Sequence, residues 1–345
     1  MHSNLELVSQ IAELLSKAQV SQENLSIERC SGGGNNRTFK VETANRVFAA
    51  KKYFSHQADQ RDRLGAEYSF LTYAKSVAQE MAPKPYAQNP DQKIALYEFI
   101  EGRPFTAKDE ITQGEVDEAI RFFCLLNAPV ARRQAVHLKN ASEACFSIQE
   151  HFTLINARIE QIQQIPLDTE EMQAARYYAE KLNEFWSNFV DQVEDTAQRE
   201  RFNLTAPLEL EQRCISPSDF GFHNALRVPG GRIRFLDFEY AGWDDPAKMA
   251  GDFFAQIAIP IPEEYFDPFI RKTMVLFPGP ENLLRRAKIL RPAYQVKWCC
   301  IALNVFLPHH LARRRFADEK LDVASLHRVQ LAKVKQLIQS LTSLR

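Results

Sequence analysis

The chain has 345 residues, with 43 Lys and Arg against 44 Asp and Glu, a formal net charge of −1 and a pI near 6.7. That balance gives no reason to expect nucleic acid or an anionic membrane as partner, and no apolar run approaches the length of a membrane span or a signal layout. Six cysteines (30, 124, 145, 214, 299 and 300) are scattered without a Cys-x-x-Cys pair, which reads as free thiols in a reducing cytoplasm rather than a zinc site or disulfide framework.

Ser3 and Glu6 have capping-box spacing ahead of Leu7, Ile11, Leu14 and Leu15, so the chain is predicted to open with an amphipathic helix. From about residue 25 the pattern turns to strands at 37–43 and 46–54, joined by a turn at Ala44-Asn45. A helix carrying Leu64, Tyr68, Leu71, Tyr73 and Ala74 follows, then a strand over 94–100 ending at Glu101-Gly102. This mixed α/β portion, 1–101, is the expected first lobe. The remainder, 102–345, reads as mainly helical. Thr112 and Glu115 form a second possible capping box, and further helices are expected at about 143–164, 169–200, 247–257, 281–306 and 320–343.

The chemistry is concentrated in Ser216-Pro217-Ser218-Asp219-Phe220-Gly221-Phe222-His223-Asn224 and, after a short hairpin, Phe235-Leu236-Asp237-Phe238-Glu239. Two carboxylates and one amide occur in the order that phosphoryl transfer needs: Asp219 near an acceptor hydroxyl, Asn224 and Asp237 as oxygen ligands for Mg²⁺. Pro229-Gly230-Gly231 between β-prone runs predicts a hairpin that folds Asp237 back beside Asn224. His223 is expected to position the loop rather than to catalyse. Earlier in the chain, Gly32-Gly33-Gly34 stands out where glycine is scarce. The backbones of Gly33 and Gly34 can approach a phosphate, although the run alone reads equally as a plain glycine-rich hairpin. Lys51 and Lys52 lie on one strand and point to opposite faces. Lys51 is favoured for the nucleotide phosphates, with Glu67 as its carboxylate partner. Glu98 and Ile100 would offer backbone groups to the adenine edge, with Tyr97 and Phe99 as apolar contacts. Trp243 and Trp298 are core residues or an aromatic wall of the acceptor pocket.

In this order the motifs resemble the aminoglycoside phosphotransferase and choline kinase superfamily, from about residue 25 to about 255. The resemblance implies an α+β, bilobal protein-kinase-like fold, with a small mixed α/β N-lobe and a larger mainly helical C-lobe. It implies Asp219 as catalytic residue, Asn224 and Asp237 as metal ligands, and Lys51 with Glu67 on the nucleotide. Asp237-Phe-Glu-Tyr-Ala-Gly is similar to the choline and ethanolamine kinase version, and Asp244-Asp245-Pro246 to the aminoglycoside type. Asp252 would steady the catalytic loop. Pro217-Ser218 stand where the family usually has His-Gly, and Gly221 replaces a polar residue. An Ala-Pro-Glu signature, as in protein kinases, is not visible.

The reading that follows is a cytoplasmic ATP- and Mg²⁺-dependent kinase acting on the hydroxyl of a small polar metabolite (a sugar, amino sugar or amino alcohol). The alternative is an inactive nucleotide-binding scaffold.

Overall fold

The structure, a computed structural model, describes residues 2–30, 36–55, 61–106, 109–317 and 320–342. Helix α1 (His2–Lys17) begins ahead of Ser3, so that residue lies within the helix rather than at its cap, and its side chain lies outside the described residues. Strands β1 (Ser26–Arg29), β2 (Arg37–Glu42) and β3 (Val47–Lys52) form an antiparallel meander. Helix α2 (Arg63–Val77) follows, then β4 (Pro85–Asn89) and β5 (Ile94–Glu98), closing a sheet in the order β1-β2-β3-β5-β4. Period-two alternation divides the side chains of this sheet between two cores. Phe48, Ala50, Ile94 and Leu96 pack with Ile11, Leu14 and Leu15 of α1. Tyr53, Ala95 and Tyr97 pack on the opposite side with Leu64, Phe70 and Leu71 of α2. Strand β4 escapes the sequence pattern because Pro-Tyr-Ala-Gln-Asn has no β-branched residue, and pairing with β5 makes it a strand.

The two-residue strand β6 (Arg103–Pro104) leads into the helical lobe. Thr112 and Glu115 do form a capping box, opening α3 (Gln113–Asn127), and the short α4 (Pro129–Arg132) follows. Ser147 and Glu150 form another box, so α5 (Ile148–Ile162) starts later than its apolar pattern suggests. The long α6 (Glu170–Glu200) has Thr169 as N-cap. The chain then lays down β7 (Cys214–Ser216), β8 (Ala225–Arg227), β9 (Ile233–Phe235) and β10 (Gly242–Asp244), with β7 paired to β10 and β8 to both β6 and β9. Gly230 and Gly231 take φ of 86° and 77° in the turn of the β8–β9 hairpin, a conformation that glycine adopts without steric cost. Helices α7 (Pro246–Ala255), α8 (Phe266–Met274), α9 (Pro280–Leu303), α10 (Pro308–Ala317) and α11 (Val323–Thr342) complete the lobe. No helix among the described residues is long and apolar enough to cross a membrane.

The segment between β7 and β8 rests on an aromatic cluster. Phe220 and Phe222, either side of Gly221, are buried, and Phe220 packs 4.9 Å from both Phe235 and Phe253. Phe122 of α3 stacks on Phe235 at 5.1 Å. The strand leading into this segment is held by Asn127 at the end of α3. Its Nδ2 donates to Ile215 O (2.9 Å) and its Oδ1 accepts from Ile215 N (2.7 Å), all fully buried.

Asn127→Leu, close in volume, would strip both partners from Ile215. At about 1–3 kcal/mol for each buried group left unpaired, the unfolding free energy should fall by at least about 2 kcal/mol in a urea titration. An unchanged midpoint would show that the amide does not support β7.

Candidate active site

The cleft side of the sheet follows from strand alternation. Lys51 points toward α2, where its Nζ donates to Glu67 Oε2 at 2.6 Å and to Asp237 Oδ1 at 2.5 Å. Lys52 points the other way, donating to Gln10 Oε1 and Gln92 O. Glu67 is further fixed by the Tyr53 hydroxyl at 2.7 Å and by the backbone N–H of Phe238 at 3.3 Å, so α2 is clamped onto the segment after β9.

The loop after β7 supplies the second half. Ser218 and Asp219 both have left-handed backbones, with φ of 46° and 41°, and Asp237 has φ of 65°. For residues with a Cβ this costs about 1–2 kcal/mol each, a cost concentrated at the groups that converge here. Asn224 Nδ2 donates to Asp219 O (3.0 Å) and lies 3.3 Å from Asp219 Oδ2. His223 Nε2 lies 3.2 Å from Asp219 Oδ1. Leu236 N donates to Asn224 O at 2.8 Å, extending the hairpin pairing so that the backbone of Asn224 lies beside the residue preceding Asp237.

The electrostatics differ between the two aspartates. Burial pushes the Asp219 carboxyl up, but His223 and Asn224, both within hydrogen-bonding distance of it, and Lys297 outweigh it and hold its pKa below the ordinary value. Asp237 goes the other way. Burial, with Glu239 and Glu67 nearby, overcomes the ammonium of Lys51 and raises it to about 7. Lys51 is also buried, yet Asp237, Glu67 and Glu239 push its pKa well above the usual lysine value. Three carboxylates thus crowd a lysine.

Among the described residues no three His, Cys, Asp or Glu side chains converge as a ready-made metal centre. The oxygens of Asn224 and Asp237 fit a hard cation that takes its remaining ligands from phosphates and water, and the crowding that raises Asp237 is what a divalent cation would relieve.

Gly33 and Gly34 lie outside the described residues. Glu98 uses its backbone N–H on Lys84 O and its carboxylate on Lys84 N and Arg234 of β9, which ties the interlobe link to the β8–β9 hairpin. Ile100 is half-buried just beyond β5. Tyr97 is buried, with its hydroxyl 2.7 Å from that of Tyr53, so it supports Glu67 from behind. Trp243 is a structural residue of β10 that donates to Ala135 O. Asp252 binds Lys297 and the indole N–H of Trp298, and Trp298 in turn stands edge-on to His223 at 6.1 Å. Its influence on the loop therefore runs through other side chains.

Three residues escape sequence reasoning. Glu239 is buried, with Oε2 accepting from Asn36 Nδ2 at 2.5 Å and Oε1 from Arg63 Nη1 at 2.6 Å. It joins the strand end that follows the glycine run, the first turn of α2, and the segment bearing Asp237. The position of Asn36 next to the glycines is a faint signal, whereas Arg63 looks like any charged residue at a helix start.

The family model described as the phosphotransferase enzyme family matches residues 26–273. Among solved structures, the chain is similar to a choline kinase from Cryptosporidium parvum Iowa II (12% identity, 98% of this chain and 97% of that one, TM-score 0.60). It is also similar to an ethanolamine kinase from Plasmodium vivax (15% identity, 99% and 91%, TM-score 0.60). An ADP-bound aminoglycoside phosphotransferase, APH(2'')-Ib, matches at 14% identity over 96% of both chains, with a TM-score of 0.51. At these identities the likeness is one of fold, bilobal and protein-kinase-like. No curated protein matches the chain.

A carboxyl that holds its proton more tightly in the folded than in the unfolded chain makes stability decline as pH rises between its two pKa values. For Asp237 that window runs from the ordinary 3.8 to about 7. Without nucleotide or metal, the Tm of Asp237→Asn relative to wild type should therefore shift in the variant's favour from pH 4 to 7 and level off above. A pH-independent difference would place the ionisation of Asp237 outside this window.

Proposed function

The chain belongs to the phosphotransferase enzyme family, and we propose that it transfers the γ-phosphoryl group of ATP to a hydroxyl of a small polar metabolite, a sugar, amino sugar or amino alcohol. One observation carries this reading. Lys51 and Glu67 of the first lobe bind Asp237 of the second, and the backbone pairing of Leu236 with Asn224 ties Asp237 to the loop in which Asn224 holds Asp219. Choline, ethanolamine and aminoglycoside kinases of the same fold support the acceptor class.

In the proposed reaction the acceptor oxygen forms a bond to the γ-phosphorus as the bond to the bridging β–γ oxygen breaks, and that electron pair leaves with ADP. The hydroxyl proton passes to Asp219, whose low pKa keeps it ionised and ready to orient the hydroxyl. Such a depressed carboxylate is a weak base, so positioning contributes more to the rate than proton abstraction does. Lys51, held by Glu67, neutralises phosphate charge. Mg²⁺, when bound, supplies charge against the β- and γ-phosphates, and Asn224 and Asp237 would hold it.

Pro217-Ser218 in place of His-Gly favours the second reading, an inactive nucleotide-binding scaffold. Asp219→Asn separates the two on wild-type protein that phosphorylates a member of a metabolite panel with Mg-ATP. Turnover should drop by roughly 10²–10⁴, the range for a positioned acid–base group, while Mg-ADP affinity by calorimetry and Tm stay unchanged. Full turnover in the variant would remove Asp219 from catalysis. Absence of any transfer by wild type that nonetheless binds Mg-ADP would favour the scaffold.

A further inference from the structure

Gly221 has no conformational reason to be glycine. Its φ of 167° is extended backbone that any residue adopts. Space is the reason: a Cβ there would sit 2.7 Å from His223 Nδ1, 2.8 Å from His223 Cε1 and 3.3 Å from Gln256 Cγ. The missing side chain lets the imidazole fold back over the loop, which puts Nε2 3.2 Å from Asp219 Oδ1. On its far side the ring meets the edge of Trp298, itself tied through its indole N–H to Asp252 at 2.9 Å.

We infer that His223 is a positioning residue for Asp219, and that Gly221 is kept side-chain-free to admit it. The other ring nitrogen, Nδ1, is buried without a hydrogen-bond partner among the described residues. The proton therefore belongs on Nε2, donated to Asp219. A ring in that state cannot take the acceptor proton, since Nε2 is already a donor and Nδ1 faces Gly221. Its work is to hold a carboxylate that hangs from a left-handed backbone. His223 restrains Oδ1, and Asn224 restrains Oδ2.

The inference rests on Asp219 being the group that orients the acceptor, and the test keeps the two ideas apart. With purified full-length protein and Mg-ATP, including the slow transfer to water, His223→Ala should lower kcat about 10²-fold, the cost of a misplaced reacting group. KM for ATP, Mg-ADP affinity and Tm should hold. His223→Gln should recover much of the loss, because its amide N–H can reach the same Oδ1. Gly221→Ala should match His223→Ala in kcat, and the double variant should be no worse than either single one. Additive losses, a Gln variant no better than Ala, or a joint fall in kcat, Mg-ADP affinity and Tm would overturn the inference. Should Gly221→Ala not fold, the two His223 variants decide. Should wild type transfer phosphate to nothing, the phosphotransferase reading fails and histidine ¹⁵N NMR decides. An Nε2-protonated ring whose signals move in Asp219→Asn supports the contact. An Nδ1-protonated ring, or signals indifferent to Asp219, overturns it.

Discussion

Much of this structure depends on where one ammonium group sits. Lys51 Nζ is shared by Glu67 of α2 and Asp237 beyond β9, residues 16 and 186 positions away in the chain. With Arg63 on Glu239, two cations face three carboxylates, and most of these groups are buried. Such clusters are poor sources of stability, because desolvation takes back most of what attraction contributes. Their value lies in geometry. A displaced partner would leave a buried charge unpaired, so α2, β3 and the segment after β9 have few low-energy alternatives to this arrangement.

The same logic governs the loop that carries Asp219. Consecutive left-handed residues at Ser218 and Asp219 are costly, and neither is glycine. Phe220 and Phe222 offset that cost. Each is buried in the aromatic cluster with Phe235 and Phe253, and a buried phenylalanine is worth about 1.5–3 kcal/mol. The alternation Phe-Gly-Phe thus drives two side chains into the core. It leaves Asp219, His223 and Asn224 in one hydrogen-bonded group, so packing holds the backbone and hydrogen bonds hold the carboxylate.

The lobes are also joined by backbone. Phe235 N of β9 donates to Met81 O at 2.8 Å, Glu98 at the end of β5 accepts from Arg234 of β9, and just past the interlobe link β6 pairs with β8. The β8–β9 hairpin is therefore a part of the helical lobe that the sheet lobe grips. Gly102 allows this approach, since a Cβ there would stand 2.9 Å from Arg227 O.

Local pattern alone was enough for the strand alternation that sends Lys51 and Lys52 apart, the Thr112–Glu115 capping box, the β8–β9 hairpin with its two glycines, and the spacing of Asp219, Asn224 and Asp237. Each depends on residues within about twenty positions of one another, where period, turn chemistry and capping act directly. Tertiary structure decided the rest. Strand β4 exists because β5 pairs with it. Tyr97 turns into the core because Tyr53 meets it there. Asp252 serves Lys297 and Trp298, which α9 brings to it. Glu239, Asn36 and Arg63 become partners across separations of 176 and 203 residues, and Gly221 acquires its meaning from the ring of His223 lying over it. Charge and volume at a single position carry no record of a distant neighbour, and only the folded chain supplies the distances at which those properties act.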